Sequence, residues 1–124
     1  MNKGQKTSPG LFLKKKPDFD RVKQYGKRLS TPLFNLLSFQ THSAYSRIGI
    51  VVSKRLGKAV VRNRAKRLFR DLGRGSHGSL ITGVDLIVFP RTQALSSKYT
   101  TLSASWDAAL KEMSLTTVHA LHHP

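Results

Sequence analysis

The residues best suited to chemistry lie between Lys54 and Arg74, in the run KRLGKAVVRNRAKRLFRDLGR, which sets nine Lys and Arg against Asp71 alone. Arginine offers a planar fork that binds phosphate oxygens in pairs, and lysine adds point charge. Asn63 can both donate to and accept from a base edge or a sugar hydroxyl. Lys54, Arg55, Lys58, Arg62, Asn63, Arg64, Lys66, Arg67 and Arg70 therefore form a candidate polyanion-binding set. An ordinary solvated helix face interleaves acids with bases, which this run does not. Bond-breaking groups are scarcer. The carboxylates are Asp18, Asp20, Asp71, Asp85, Asp107 and Glu112, and no two are spaced as an acid and base couple. Asp18 and Asp20 could meet a magnesium ion, but beside Pro17 their better role is to stabilise a helix N-terminus. His119, His122 and His123 could collect a transition metal, although they sit in a tail expected to fray. Gly57-Lys58 lacks the upstream Gly and the following Ser or Thr of a phosphate-binding loop. No catalytic residue and no protein-held metal are expected.

The charge is concentrated in two blocks. Residues 1–28 sum to +7, residues 29–46 carry no charge, residues 47–74 sum to +9, and residues 75–124 sum to zero, giving the net +16. Blocks of one sign build a field that attracts a polyanion, with nucleic acid the leading candidate. An anionic membrane is the rival, but the apolar side chains are needed for a core. At 124 residues with 39% hydrophobic content the chain supports one domain. The absence of cysteine excludes disulfide scaffolds, thiolate nucleophiles and Cys-ligated zinc. Leu11-Phe12-Leu13 is the one uninterrupted apolar run before Lys14, too short for a signal-peptide core or a membrane span, so a cytoplasmic location is expected.

These groups need elements to hold them. Residues 1–16, rich in Gly, Pro, Ser and Lys, read as a mobile basic arm, residues 17–113 as the domain, and residues 114–124 as a flexible tail. Pro17-Asp18 opens a short helix marked by Phe19, Val22 and Leu29 and capped at Gly26. Leu33–Phe39 and Arg47–Ser53 read as strands and antiparallel neighbours, the second with Ile48, Ile50 and Val52 on one face and Gly49, Val51 and Ser53 on a smoother one. A helix from Ala59 to Arg74 follows. Counting about 100° per residue from Val61, Ala65, Leu68 and Leu72 make its core stripe with Phe69 at the border. Lys66, Arg70, Arg74, Asn63 and Arg67 fill the opposite arc, and Arg62 and Arg64 the flanks. Gly73 to Gly83 reads as a connector, Asp85–Pro90 as a buried central strand and 97–113 as a last helix.

The stretch RIGIVVSKRLGKAVVRNRAKRLFR, Arg47 to Arg70, resembles the hallmark of the bacterial ribonuclease P protein subunit: Arg62-Asn63-Arg64, then Lys66-Arg67, then Arg70 one turn on. The resemblance extends to Asp18-Phe19 with Gly26, to Phe34, and to Asp85-Leu86-Ile87-Val88. It implies an α/β (α+β) two-layer sandwich in the order helix, strand, strand, helix, strand, helix, similar to the second domain of a small-subunit ribosomal protein. It also implies a left-handed βαβ crossover, against the usual hand. The basic helix and its leading loop would dock on the catalytic RNA, and a cleft between the first helix and the sheet would hold the single-stranded 5′ leader of precursor tRNA. Phe19 and Phe34 match the family's aromatic cleft positions, although such residues also serve as core. Gly49 and Ser53 would leave room for the cleft. Here the sequence departs from the family in Asp71, where Glu is common, and in Gly73, which is expected to shorten the helix. The implied activity is removal of the 5′ leader from precursor tRNA, with the chemistry in the RNA subunit and its Mg2+, and with no obligate protein partner. A small ribosomal-type structural RNA-binding protein is the alternative.

Overall fold

The computed structural model describes residues 10–117; the first nine residues of the expected arm and His119, His122 and His123 fall outside them. Helix α1 spans Lys16–Tyr25, with Pro17 in its first turn, Asp18 against its positive end and Gly26 at its C-cap. Gly26 is there for closeness: a Cβ would lie 2.5 Å from the Val22 carbonyl oxygen. The chain then forms β1 (Lys27–Ser30), β2 (Phe34–Gln40), β3 (Arg47–Ile50), α2 (Ala59–Ser76), β4 (Val84–Pro90), a short α3 (Thr92–Ser96) and α4 (Tyr99–Glu112).

The sheet order is β1-β2-β4-β3, with β1 and β4 both antiparallel to β2 and β3 parallel to β4. Two expectations change. The strands β2 and β3 are not neighbours, because β4 inserts between them and pairs with both. Its buried run from Val84 to Val88 is what a central strand needs. Leu29 belongs to the edge strand β1, not to the first helix. Four residues with Lys27 and Arg28 exposed carry no alternation to read, and the pairing comes from β2.

Alternation assigns each strand residue to one of two faces. Phe34, Leu36, Ile48, Leu86 and Val88 face α2 and α4, where they enclose the main core with Phe69, Leu72 and Trp106. Phe34, Phe69 and Trp106 meet edge to face at centroid distances of 5.6–6.1 Å, each pair contributing about 0.5–1.5 kcal/mol beyond area burial. Trp106 Nε1 donates to Ser76 Oγ at 3.1 Å, which removes the cost of its buried N–H. The other face carries α1 alone, over Leu13, Val22 and Ile87 with Phe19, Leu37, Phe39, Val51 and Phe89 half-buried around them.

Both ends of the domain extend further than expected. Leu11 to Leu13 run beside the outer edge of β3, where the Leu13 N–H donates to the Ile48 carbonyl at 2.9 Å and the Ile48 N–H to the Leu11 carbonyl at 2.8 Å. Leu13 is buried, so this part of the expected arm is held by the sheet. Leu115 is buried likewise, and Thr116 bridges to Leu80. Gly73 does not shorten α2, which runs on to Ser76. A Cβ at Gly73 would lie 3.1 Å from Ile48 Cδ1, so the glycine admits β3 to the helix surface.

Candidate RNA-binding site

The loop before α2 is pinned at Leu56, which is buried in a tight helical turn at Lys54–Leu56 while Lys54, Arg55 and Lys58 stay exposed. Gly57 has φ of +146°, a conformation other residues adopt only with strain, and its carbonyl accepts from Arg62 Nη1 at 2.8 Å. That contact ties the cationic loop to the cationic helix.

Within α2 the buried positions are Ala65, Phe69, Leu72, Gly73 and Ser76. Phe69 is therefore central and Leu68 marginal, the reverse of the expected stripe, because the helix rolls to place Phe69 against Phe34 and Trp106. The cations and Asn63 fall into three rows. Arg62 and Lys66 lean toward α1, Asn63, Arg70 and Arg74 line the outer ridge, and Arg64 and Arg67 lean toward the start of α4. Among the described residues the one ion pair on this helix is Arg74 with Asp71 at 3.9 Å, both side chains exposed. No acid occupies its first turn, so the macrodipole adds to the positive potential. Repulsion along these rows disfavours the unliganded protein, and an anionic partner relieves it.

The α1 side of the sheet is half covered. A cavity of about 530 Å³ opens between α1 and α2, walled by Phe19, Lys23, Val51, Arg62 and Lys66. A smaller hollow of about 180 Å³ lies further across the sheet, over Arg28, Asn35, Leu37 and Phe89. Phe19 lines this cavity, but Gly49 leaves no empty space, since a Cβ there would lie 2.5 Å from Phe19 Cε1. The glycine receives the edge of the Phe19 ring. Phe34 is corrected: it is 0% exposed on the opposite face of the sheet, against Phe69 and Trp106, where no base reaches it. The sequence reading missed Phe89, Leu37 and Lys23. Strand parity was the available signal for Phe89, since Asp85, Ile87 and Phe89 share a face, but the unbroken apolar run of β4 hides it.

An ionic clamp fixes the cleft wall. Arg47 Nε donates to Asp85 Oδ1 at 3.0 Å and Nη2 to Oδ2 at 2.8 Å, while Nη1 donates to Asp18 Oδ2 at 3.2 Å. Asp85 lies inside β4 and Asp18 in the first turn of α1, so one guanidinium joins helix to sheet. The Asp85 hydrogen bonds raise the Arg47 pKa above its ordinary value; burial opposes this, and the charges of Asp85 and Asp18 add to it. Asp18 also pairs with Arg21 at 3.4 Å and Asp20 with Lys16 at 2.7 Å, so cations already engage both carboxylates.

Comparison with known proteins agrees with this arrangement. The family model described as Ribonuclease P matches residues 9–114, which includes the Leu11–Leu13 segment. The chain is 32% identical over 103 residues to the ribonuclease P protein component of Alkaliphilus metalliredigens, covering 83% of this chain and 93% of that one. It is 35% identical over 112 residues to that of Thermobifida fusca, covering 84% and 76%. Among solved structures, the ribonuclease P protein of Staphylococcus aureus superposes with a TM-score of 0.76 at 30% identity, over 87% of this chain and 99% of that one. That of Thermotoga maritima gives 0.74 at 31%, over 82% and 96%. With the Arg62-Asn63-Arg64 helix, the half-covered sheet and these matches together, the chain belongs to the ribonuclease P protein component family.

Proposed function

We propose that this chain is the non-catalytic RNA-binding part of ribonuclease P, with α2 and the Lys54–Lys58 loop on the RNA subunit and the α1 cleft on the 5′ leader of precursor tRNA. The observation that carries the reading is that Arg62 and Lys66 belong to both surfaces, since they continue the cationic helix and also wall the cleft floored by Phe19 and Val51. Two polyanions brought together repel each other, and a +16 protein between them lowers that cost while releasing counterions from both. Half-buried aromatic rings stack on unpaired bases of any sequence, which suits a leader that differs among tRNAs. The RNA and the Mg2+ it holds supply the hydrolysis; the protein binds and orients. A cytoplasmic location goes with this reading, and among the described residues no helix is long and apolar enough to cross a membrane.

The test is cleavage of a precursor tRNA at low Mg2+ by a bacterial ribonuclease P RNA, with and without the protein, and by the protein alone. Cleavage at the mature 5′ end that needs both components supports the proposal. Cleavage by the protein alone overturns its non-catalytic part. A protein that binds RNA tightly yet adds nothing to cleavage across a salt series fits a purely structural RNA binder instead.

A further inference from the structure

Arg64 and Arg67 point away from the cleft. Around α2 they lie between about 100° and 160° from Arg62 and Lys66, across the outer ridge from the cleft. They border a separate open cavity of about 400 Å³, closed on the other side by Leu95, Ser97 and Tyr99 at the α3–α4 junction. Tyr99 is 48% exposed, the first residue of α4, and follows exposed Lys98. Leu68 and Ala94 make the floor. Val60, 77% exposed, extends the same flank of α2 toward its N-terminus.

The combination is unusual for a merely solvated surface. A large ring stands half in water beside an apolar floor, with two arginines at the rim. Arg64 Nη2 donates to the Leu95 carbonyl at 3.1 Å, which steadies its guanidinium across the cavity mouth. Asp71 is the acid on this rim, about two turns from Arg64 and one turn from Arg67 on the same face of the helix. Stacking space, an apolar floor and arginines at phosphate reach are the parts a protein uses to hold an unpaired nucleotide.

We infer that this cavity takes one unpaired nucleotide of the ribonuclease P RNA, its base stacked on Tyr99 and its phosphate at Arg64 and Arg67. The inference rests on the proposed docking of α2 on that RNA. An RNA lying along the outer ridge at Asn63, Arg70 and Arg74 has this cavity on its far side from the cleft, so a base turned out of its stack there is distinct from the leader.

The experiment measures binding of the intact protein to ribonuclease P RNA, without tRNA, across a salt series, together with chemical probing of RNA bases. Tyr99→Ala is expected to weaken binding about tenfold, as for loss of one stacked base, with the salt dependence unchanged. Tyr99→Trp is expected to retain affinity. A single unpaired base protected by the wild-type protein should become reactive with Tyr99→Ala. Arg70→Ala is the control, with weaker binding and a shallower salt dependence. Unchanged affinity and protection with Tyr99→Ala, while Arg70→Ala weakens binding, would overturn the cavity and leave the helix interface standing. If Arg70→Ala also has no effect, the docking of α2 fails and the cavity with it. Tyr99→Ala melting at the wild-type temperature shows that its loss is one of contact.

Discussion

The two faces of one sheet use the same kinds of side chain for opposite ends. On the face covered by α2 and α4, Phe34, Phe69 and Trp106 are fully buried and each touches the other two. On the other face α1 is the one helix, and Phe19, Leu37 and Phe89 stay half-buried beside Arg28, Lys23 and Arg62. An aromatic residue is core or platform according to how many helices cover it. Phe34 and Asn35 are adjacent in the chain and lie on opposite sides of that divide.

The largest effect expected is on the covered face. Phe34→Ala should cost about 3–5 kcal/mol in urea denaturation, with any loss of tRNA affinity the same for precursor and mature forms. A stable variant that discriminates less between the two substrates would return Phe34 to the cleft. Next is the clamp between the faces. Arg47→Met leaves Asp85 buried without its partner and should cost about 3 kcal/mol, much of it recovered when Asp85→Leu is added. Because the folded pKa of Arg47 is raised, its contribution is complete below the unfolded value and is lost only as pH rises through the folded one.

Smaller effects belong to the surfaces. Arg70→Ala should weaken binding to the RNA subunit by about 1–3 kcal/mol, lower the salt slope by about one, and leave stability unchanged. Phe89→Leu, which keeps apolar packing but removes the ring, should reduce precursor affinity by about 1 kcal/mol and spare mature tRNA. Equal losses for both substrates would mean that the open face is not where the leader lies.

Much of the candidate binding surface was legible because a helix has a fixed period. Once Ala65 and Leu72 are apolar and face inward, Asn63, Arg67 and Arg70 must face out, whatever the rest of the chain does. The cleft was less legible. Strand parity sorts β2 into two sets but does not say which set a second layer will cover, and Phe34 fell into the covered one because α2 and α4 pack on its side. The edge strand β1 has no pattern apart from its partner.

By itself, then, the sequence determined the elements with a strong internal period, the cationic helix above all, and the concentration of charge that calls for a polyanion. Tertiary structure alone decided the insertion of β4 between β2 and β3, the seating of Leu11–Leu13 on the β3 edge, and the clamp from Arg47 to Asp18 and Asp85. It also decided that Arg62 and Arg64, two residues apart, serve different cavities. The physical reason is range. Helical periodicity and charge density are set by near neighbours, whereas strand pairing and ion pairs join residues tens of positions apart that no local pattern links.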